Sequence, residues 1–305
     1  MDAPPQSEIP VMDPKAGFSI VIPAYNEENG AGPVMAELLE TLKTDLDPEI
    51  PVEVLVVDDG SSDRTSEVIS QFEGDVLRLV RHPHNRGYGA AIKTGILHSR
   101  YPWIMITDAD GTYPNEFIPA LLAEREFNEM VVGARIGEKA HIPLIRRPPK
   151  WVLRKLASLL SRQDIPDLNS GMRVFRKDLA KKFENILPNK FSYTTTITLA
   201  MFSAGYHVKY VPINYLRREG LSKIKPIQDT LNFLKLIIRT IMYFDPLRVF
   251  LPVSLLFIVA SIAVAITSYS MTGVVMDVTT VLLFVTGFQM LALGMIADML
   301  NRRIP

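Results

Sequence analysis

Residues 103–114 read WIMITDADGTYP. Four of the five residues before Asp108 are apolar; two carboxylates one residue apart, a glycine and Thr-Tyr-Pro follow. A short apolar run bounded by turn residues is the pattern of a buried strand. Carboxylates at the open end of such a strand can hold Mg²⁺ or Mn²⁺, which then neutralises phosphate oxygens. A lone Asp-x-Asp more often caps a turn, so the neighbouring segments decide between the two readings.

Similar runs lie on either side. Phe18–Ile22 stops at Pro23, Val52–Val57 stops at Asp58-Asp59-Gly60, and Val76–Val80 and Met130–Val132 follow. Helix-like segments fall between them at 31–45, 63–73, 88–99 and 115–125, the second with Ser61 or Ser62 as the expected N-cap. This alternation predicts a mainly parallel α/β sheet with both faces covered. Ligands of such sheets bind outside the carboxyl ends of the strands. The polar clusters Pro23–Glu27, Asp58–Ser61 and Asp108–Asp110 all fall there, which predicts one site on one rim. The chain lacks GxGxxG after its first strand and lacks GxxxxGK[ST], which argues against a nicotinamide Rossmann enzyme and a P-loop NTPase. Diphosphate binding through a metal remains.

The 305 residues carry 33 basic and 33 acidic side chains. A net charge of zero argues against a nucleic-acid binder that depends on overall positive charge. With no cysteine, disulfides and thiolate metal sites are excluded. Residues 1–16, with four prolines and no apolar core, read as a flexible leader.

The apolar residues concentrate at the C-terminal end. Val249–Tyr269 and Val278–Ala297 contain no charge, and each is long enough to cross a hydrocarbon layer about 30 Å thick. The connection between them has one acid and no Lys or Arg, whereas Arg248, Arg302 and Arg303 flank the pair. The positive-inside rule puts both flanks, and the body before them, in the cytoplasm. The expected organisation is a catalytic body over 17–223, a juxtamembrane helix over 224–246, a transmembrane hairpin over 247–299 and a short tail over 300–305.

Together these motifs resemble family 2 glycosyltransferases with the GT-A fold, and within them the polyprenyl-phosphate branch typified by dolichol-phosphate mannose synthase. The resemblance covers about residues 17–245, and the two-helix tail fits the same branch. It implies a Rossmann-like sheet followed by juxtamembrane helices and a membrane hairpin. It also implies that Pro23, Tyr25 and Glu27 of IPAYNEE line a nucleoside pocket, that Asp58 contacts base or ribose with Asp59 beside it, and that Arg86 and Gly87 of NRGYGAAIKTG lie near the nucleotide. Asp108 and Asp110 would handle the metal, Mg²⁺ or Mn²⁺, and the sugar diphosphate. Where this branch often carries Gln, two residues after the second Asp, this chain has Thr112.

The second half of the motif set implies an acceptor site. Gly133-Ala134-Arg135 resembles the family's Gly-Ser-Arg, with Arg135 catalytic. Asp167–Arg173, with Asn169, Ser170 and Arg173, resembles the segment that receives a lipid phosphate; Arg217–Lys223, with Arg217, Ser222 and Lys223, resembles the basic loop that closes over it. Read without the family, the four cations Arg135, Arg173, Arg217 and Lys223 near segment ends suit phosphate recognition as a set, though solvated surface charge accounts for any one alone. The QxxRW signature of processive family 2 polymerases is missing, so a single transfer is expected.

The implied reaction is the inverting transfer of one hexose from a nucleotide-diphosphate sugar, UDP- ahead of GDP- on family frequency alone, to a polyprenyl phosphate at the cytoplasmic face of the cell membrane. A hydroxyl acceptor needs a general base, whereas a phosphate monoester, with a second pKa of about 6, arrives ionised. The five histidines are scattered and read as structural. Residues 143–162 mix cations with Trp and Leu, as in a helix lying among headgroups, and residues 230–244 do so less strongly; ordinary core helices are the alternative for both. Two rival functions remain: a membrane-tethered transferase using a sugar hydroxyl, and a non-catalytic nucleotide-binding scaffold.

Overall fold

The structure, a computed structural model, describes residues 15–136, 155, 157–159, 163–190, 192–216, 226–275 and 277–301. The expected leader up to residue 14, most of the 143–162 stretch, residues 217–225 and the residues from 302 lie outside them.

Seven strands form one sheet: β1 (Phe18–Ala24), β2 (Val52–Asp58), β3 (Leu77–Arg81), β4 (Trp103–Ile106), β5 (Met130–Ala134), β6 (Arg173–Arg176) and β7 (Val208–Pro212). Their order is β3-β2-β1-β4-β6-β5-β7. All neighbours are parallel except β6, which runs antiparallel to both β4 and β5. The reversal of order beside β1 makes the gap between β1 and β4 the switch point at which such sheets bind ligands.

The strands are buried on both faces because helices cover both. Alternate residues of one strand therefore enter different cores. Ile20 and Ile22 pack under α1 (Ala31–Thr44) and α4 (Ile118–Ala123), whereas Val21 faces α3 (Tyr88–His98). The helix α5 (Lys177–Lys182) and α6 (Tyr193–Ser203) complete that second layer. The short helix α2 (Thr65–Ser70) starts later than expected. Ser61 and Ser62 do not cap it: Asp63 Oδ1 accepts from the Thr65 amide at 3.0 Å, and both serines are used by neighbouring turns.

The helix α7 (Pro226–Phe244) is two-faced. Ile237 and Ile241 are buried against Ala157, Ile165, Leu168 and Leu199, whereas Lys235, Arg239 and Tyr243 are exposed. It thus belongs to the core on one side and leaves a cationic, aromatic stripe on the other.

Two C-terminal helices follow, α8 (Leu247–Thr272) and α9 (Asp277–Asn301). Both are long and apolar enough to cross a membrane, with mean hydropathies of 2.8 and 2.0, and most of their side chains face outward. They pack through a seam of small residues. Ser254 Oγ donates to Gly287 O at 2.7 Å and Ser261 Oγ to Thr280 O at 2.8 Å. A Cβ on Gly287 would lie 2.7 Å from Ile258, and one on Gly294 would lie 2.6 Å from Phe250. Small residues spaced by seven let two helix backbones approach closely where lipid offers no hydrophobic drive.

Candidate active site

The turns after β1 and β2 are tied together. Asn26 adopts a left-handed conformation, φ 55°, accessible to Asn because its side chain bonds locally. Its amide donates to Ser61 Oγ at 3.0 Å and its Oδ1 accepts from the Ser62 amide at 2.9 Å. Pro23 lies at the buried end of β1 and Tyr25 is 39% exposed on the rim. The Glu27 amide donates to Thr65 Oγ1 at 2.8 Å, and its carboxylate lies beside the Asp108–Asp110 turn. A Cβ on Gly30 would touch both Glu27 Oε2 (3.6 Å) and Ala109 O (3.3 Å).

Asp58 and Asp59 point into the protein. Asp58 accepts from the Ser61 amide and hydroxyl, at 3.0 and 2.6 Å, and from Ser66 Oγ. Asp59 accepts from the amides of Arg86 (2.9 Å) and Gly87 (2.7 Å) and bonds His82 Nδ1 at 2.7 Å. Both carboxylates are almost fully buried. The pair therefore holds turns at the sheet rim: Asp58 the Ser61 turn, and Asp59 the Arg86-Gly87 turn. Gly87 needs its missing side chain: φ is +104°, and a Cβ would lie 2.5 Å from Asn189 O. His82, held between Asp59 and Thr94 Oγ1 (2.9 Å), is a buried structural residue.

Beyond β4, each carboxylate of the Asp-Ala-Asp turn is gripped through Oδ1. Asp108 accepts from the Tyr88 hydroxyl at 3.0 Å. Asp110 accepts from the Thr112 amide at 3.1 Å and from Thr112 Oγ1 at 2.6 Å. Thr112 is wholly buried and braces Asp110 from behind. Burial, helped by Asp108, raises the Tyr88 pKa well above the usual tyrosine value, so its hydroxyl keeps the proton it donates. Among the described residues no group of three or more acidic or histidine side chains gathers to form a closed metal cage. Two carboxylates suit a hard cation that keeps several waters and takes its remaining oxygens from substrate phosphates, as Mg²⁺ and Mn²⁺ do.

The segment expected to serve the acceptor meets this turn directly. A Cβ on Gly171 would stand 2.8 Å from Asp108 Oδ2 and 3.1 Å from the Tyr113 ring. The Gly171 amide donates to Tyr113 OH at 2.6 Å. Arg135 makes a two-point pair with Asp167, 2.6 and 2.8 Å, bonds Asn169 Oδ1 at 2.8 Å and lies over the Tyr215 ring at 5.2 Å. Burial works against its charge, but Tyr113 and Asp167 outweigh that and raise its pKa well above the usual arginine value. Tyr113 meets Tyr215 edge-on at 5.2 Å and completes the cluster.

Two acceptor candidates are placed elsewhere than expected. Arg173 is fully buried: Nη1 donates to Thr194 O and Thr198 Oγ1, both at 2.8 Å, and Nη2 donates to Ser170 O. Ser170 is also buried, its hydroxyl donating to Gly133 O at 2.5 Å. Both hold the loop from within, because β6 directs Arg173 into the α6 layer. Arg217, Ser222 and Lys223 lie outside the described residues. The structure adds Tyr88, Tyr113 and Tyr215 to the site, and pairs Asp167, the first residue of the expected acceptor segment, with Arg135. Tyr88 and Tyr113 lie inside the motifs NRGYGAAIKTG and DADGTYP, which was the only signal for them.

Comparison with known proteins bears on the fold and the family. Residues 19–183 match Glycosyl transferase family 2, and residues 245–302 match the GtrB C-terminal hairpin. The chain is 32% identical over 211 residues to a dolichyl-phosphate hexose transferase of Haloferax volcanii, covering 68% of this chain and 87% of that protein. It is 28% identical over 233 residues to the human dolichyl-phosphate beta-glucosyltransferase, covering 70% and 71%. Among solved structures, the glucosyl-3-phosphoglycerate synthase of Mycobacterium tuberculosis, solved with Mn²⁺, UDP and phosphoglyceric acid, shares the fold with a TM-score of 0.58 at 16% identity over 74% of this chain and 78% of that one. The mostly parallel sheet is the GT-A fold, it is followed by the apolar hairpin, and the chain belongs to glycosyl transferase family 2.

Proposed function

We propose that the protein transfers one hexose from a nucleotide-diphosphate sugar to a polyprenyl phosphate, with inversion at the anomeric carbon, at the cytoplasmic face of the cell membrane. The observation that carries this is the contact between Asp108 and Gly171, which brings the carboxylate turn and the acceptor segment into one site. The dolichyl-phosphate transferases among the relatives support the acceptor class, and the arginines outside both ends of the hairpin support the cytoplasmic face.

In this reading the rim from Pro23 to Glu27 and the Arg86-Gly87 turn receive the nucleoside. Asp58 and Asp59 keep those turns in place. Asp108 and Asp110 would hold Mg²⁺ or Mn²⁺, the ions found with UDP in the mycobacterial fold relative. When bound, that ion neutralises the diphosphate oxygens as negative charge builds on them. An oxygen of the lipid phosphate forms the new bond to the anomeric carbon. The bond from that carbon to the nucleoside diphosphate breaks, and its electron pair leaves on the terminal phosphate oxygen. No proton has to be removed from the acceptor, which fits a site whose charged groups are carboxylates and guanidinium. Arg135 and Asn169, with Arg217, Ser222 and Lys223, align the lipid phosphate and offset repulsion between phosphates. Arg173 and Ser170 support that arrangement from inside.

A donor panel tests the reading. The full chain in detergent, given a short polyprenyl phosphate, Mg²⁺ or Mn²⁺ and individual UDP- and GDP-hexoses, is expected to convert one donor to a lipid monophosphohexose visible by mass spectrometry. Nucleotide binding with no lipid product from any donor would reject the reading in favour of a scaffold.

A further inference from the structure

At the end of the sheet opposite Asp108, where β6 finishes at Arg176 beside the start of β4, lies an open cleft of about 430 Å³. Its lining includes Arg100, Tyr101, Arg176, Lys177, Asp178 and Lys181, four cations facing one acid. The acid is already used, in a two-point pair with Arg176 at 2.6 and 3.1 Å. Lys177 Nζ donates to Ser99 O at 2.5 Å, while Lys181 is exposed and forms no ion pair among the described residues. Burial, together with the like charge of Lys181, lowers the pKa of Lys177. Arg100 is likewise taken, its Nε 3.7 Å from the buried Glu53 carboxylate, which also attracts Lys177. The cleft therefore keeps an excess of positive charge at Lys177 and Lys181, which an anion balances.

The same helix leads to the base of the hairpin. Lys182 donates to Tyr206 OH at 3.0 Å and lies 5.5 Å over its ring. Phe183 meets Tyr206 and Phe244 edge-on, at 6.2 and 5.8 Å. Phe244 contacts the half-exposed Tyr243 at 5.1 Å, and α8 begins at Leu247. α5 has six residues, so it is about 9 Å long. That is close to the headgroup layer of about 5–8 Å on each side of the hydrocarbon. Aromatic and cationic side chains at the end of a span are the pattern of an interface anchor, and basic clusters there attract anionic lipid.

We infer that this cleft and the α5 lysines form a docking surface for the phosphates of anionic membrane lipids, fixing how the catalytic body lies on the bilayer. The inference takes from the proposed function only that the hairpin spans a membrane; it does not need the transfer reaction.

The chain has no cysteine, so a single label can be placed cleanly. The full protein carries a fluorophore at Asn185→Cys, just beyond α5, or at Glu37→Cys on α1 across the sheet, both exposed. It is placed in nanodiscs of phosphatidylcholine, with or without phosphatidylglycerol, containing a headgroup-attached quencher. Position 185 is expected to be quenched several-fold more than position 37, more strongly with phosphatidylglycerol. Adding Lys181→Glu and Lys182→Glu, both at exposed α5 lysines, is expected to remove the phosphatidylglycerol increment while leaving the circular dichroism spectrum and transfer in detergent unchanged. Equal quenching at 185 and 37, or quenching at 185 that ignores both lipid charge and the two reversals, would overturn the inference. Because the readout is optical, loss of transfer with quenching intact would count against the proposed reaction and leave the docking surface standing.

Discussion

Gly171 stands against Asp108 so closely that a Cβ there would lie 2.8 Å from Oδ2. The loop that carries Gly171 thus limits where this carboxylate can sit. Gly171→Ala must push either the loop or Asp108 aside. A displacement approaching 1 Å at a reacting centre costs about 10²-fold in rate. The expected result is a kcat lower by about that factor, with the overpacking penalty of about 1–3 kcal/mol. Steady-state kinetics and thermal unfolding on the same preparation check both.

Tyr88 orients Asp108 through its hydroxyl. Partners of this kind change metal affinity by about 10- to 100-fold when removed. Tyr88→Phe is expected to raise the metal concentration for half-maximal activity by about tenfold or more while the protein stays folded. Because the Tyr88 pKa is raised, its proton stays in place as pH increases. The ratio of wild-type to variant activity is therefore expected to be constant from about pH 6 to 9, below the ordinary tyrosine value of about 10. Metal titrations at several pH values give the answer.

Asp167 and Arg135 form a pair with little solvent contact, their side chains 5% and 12% exposed. Breaking such a pair from one side costs about 3–5 kcal/mol because the remaining charge is left buried. Asp167→Ala is expected to lose stability on that scale and to raise the KM for the lipid acceptor more than that for the donor. Arg135→Lys cannot restore the two-point geometry and is expected to share the KM effect.

The hairpin seam separates steric from polar contributions. Ser254→Ala removes one interhelical bond and is expected to cost about 0.6 kcal/mol. Gly287→Leu cannot be accommodated beside Ile258 without spreading the helices, and its thermal midpoint in detergent is expected to fall further than that of Ser254→Ala.

Much of the architecture was readable in WIMITDADGTYP and its counterparts after β1 and β2, because short apolar runs stopped by polar turns define a buried parallel sheet. The antiparallel β6 was not legible: four residues, Arg-Val-Phe-Arg, carry too little pattern after an irregular acceptor segment. The polar Thr194–Thr196 run reads as a helix start, and α6 does begin at Tyr193, but nothing in the sequence gives its four buried threonines a role. Their use became visible only when Arg173 was found among them. Arg173 itself shows the limit of reading charge from sequence, since an arginine in an acceptor motif proved to be an internal brace. The inward turn of Asp58 and Asp59 depends on the Ser61, Arg86 and Gly87 amides, whose directions no residue type reveals. Tyr88 and Tyr113 were in plain view, but phenols inside such motifs read equally well as core.

The central claim is that the carboxylate turn and the acceptor loop form one site that attacks with a phosphate oxygen. The most direct measurement compares a polyprenyl phosphate with the matching polyprenol as acceptor, in wild type and in Asp110→Ala, across pH. The account predicts product only from the phosphate, loss of that product in Asp110→Ala, and a rate that falls as pH drops through the acceptor's second pKa of about 6. Equal transfer to the polyprenol, or full activity in Asp110→Ala, would contradict it.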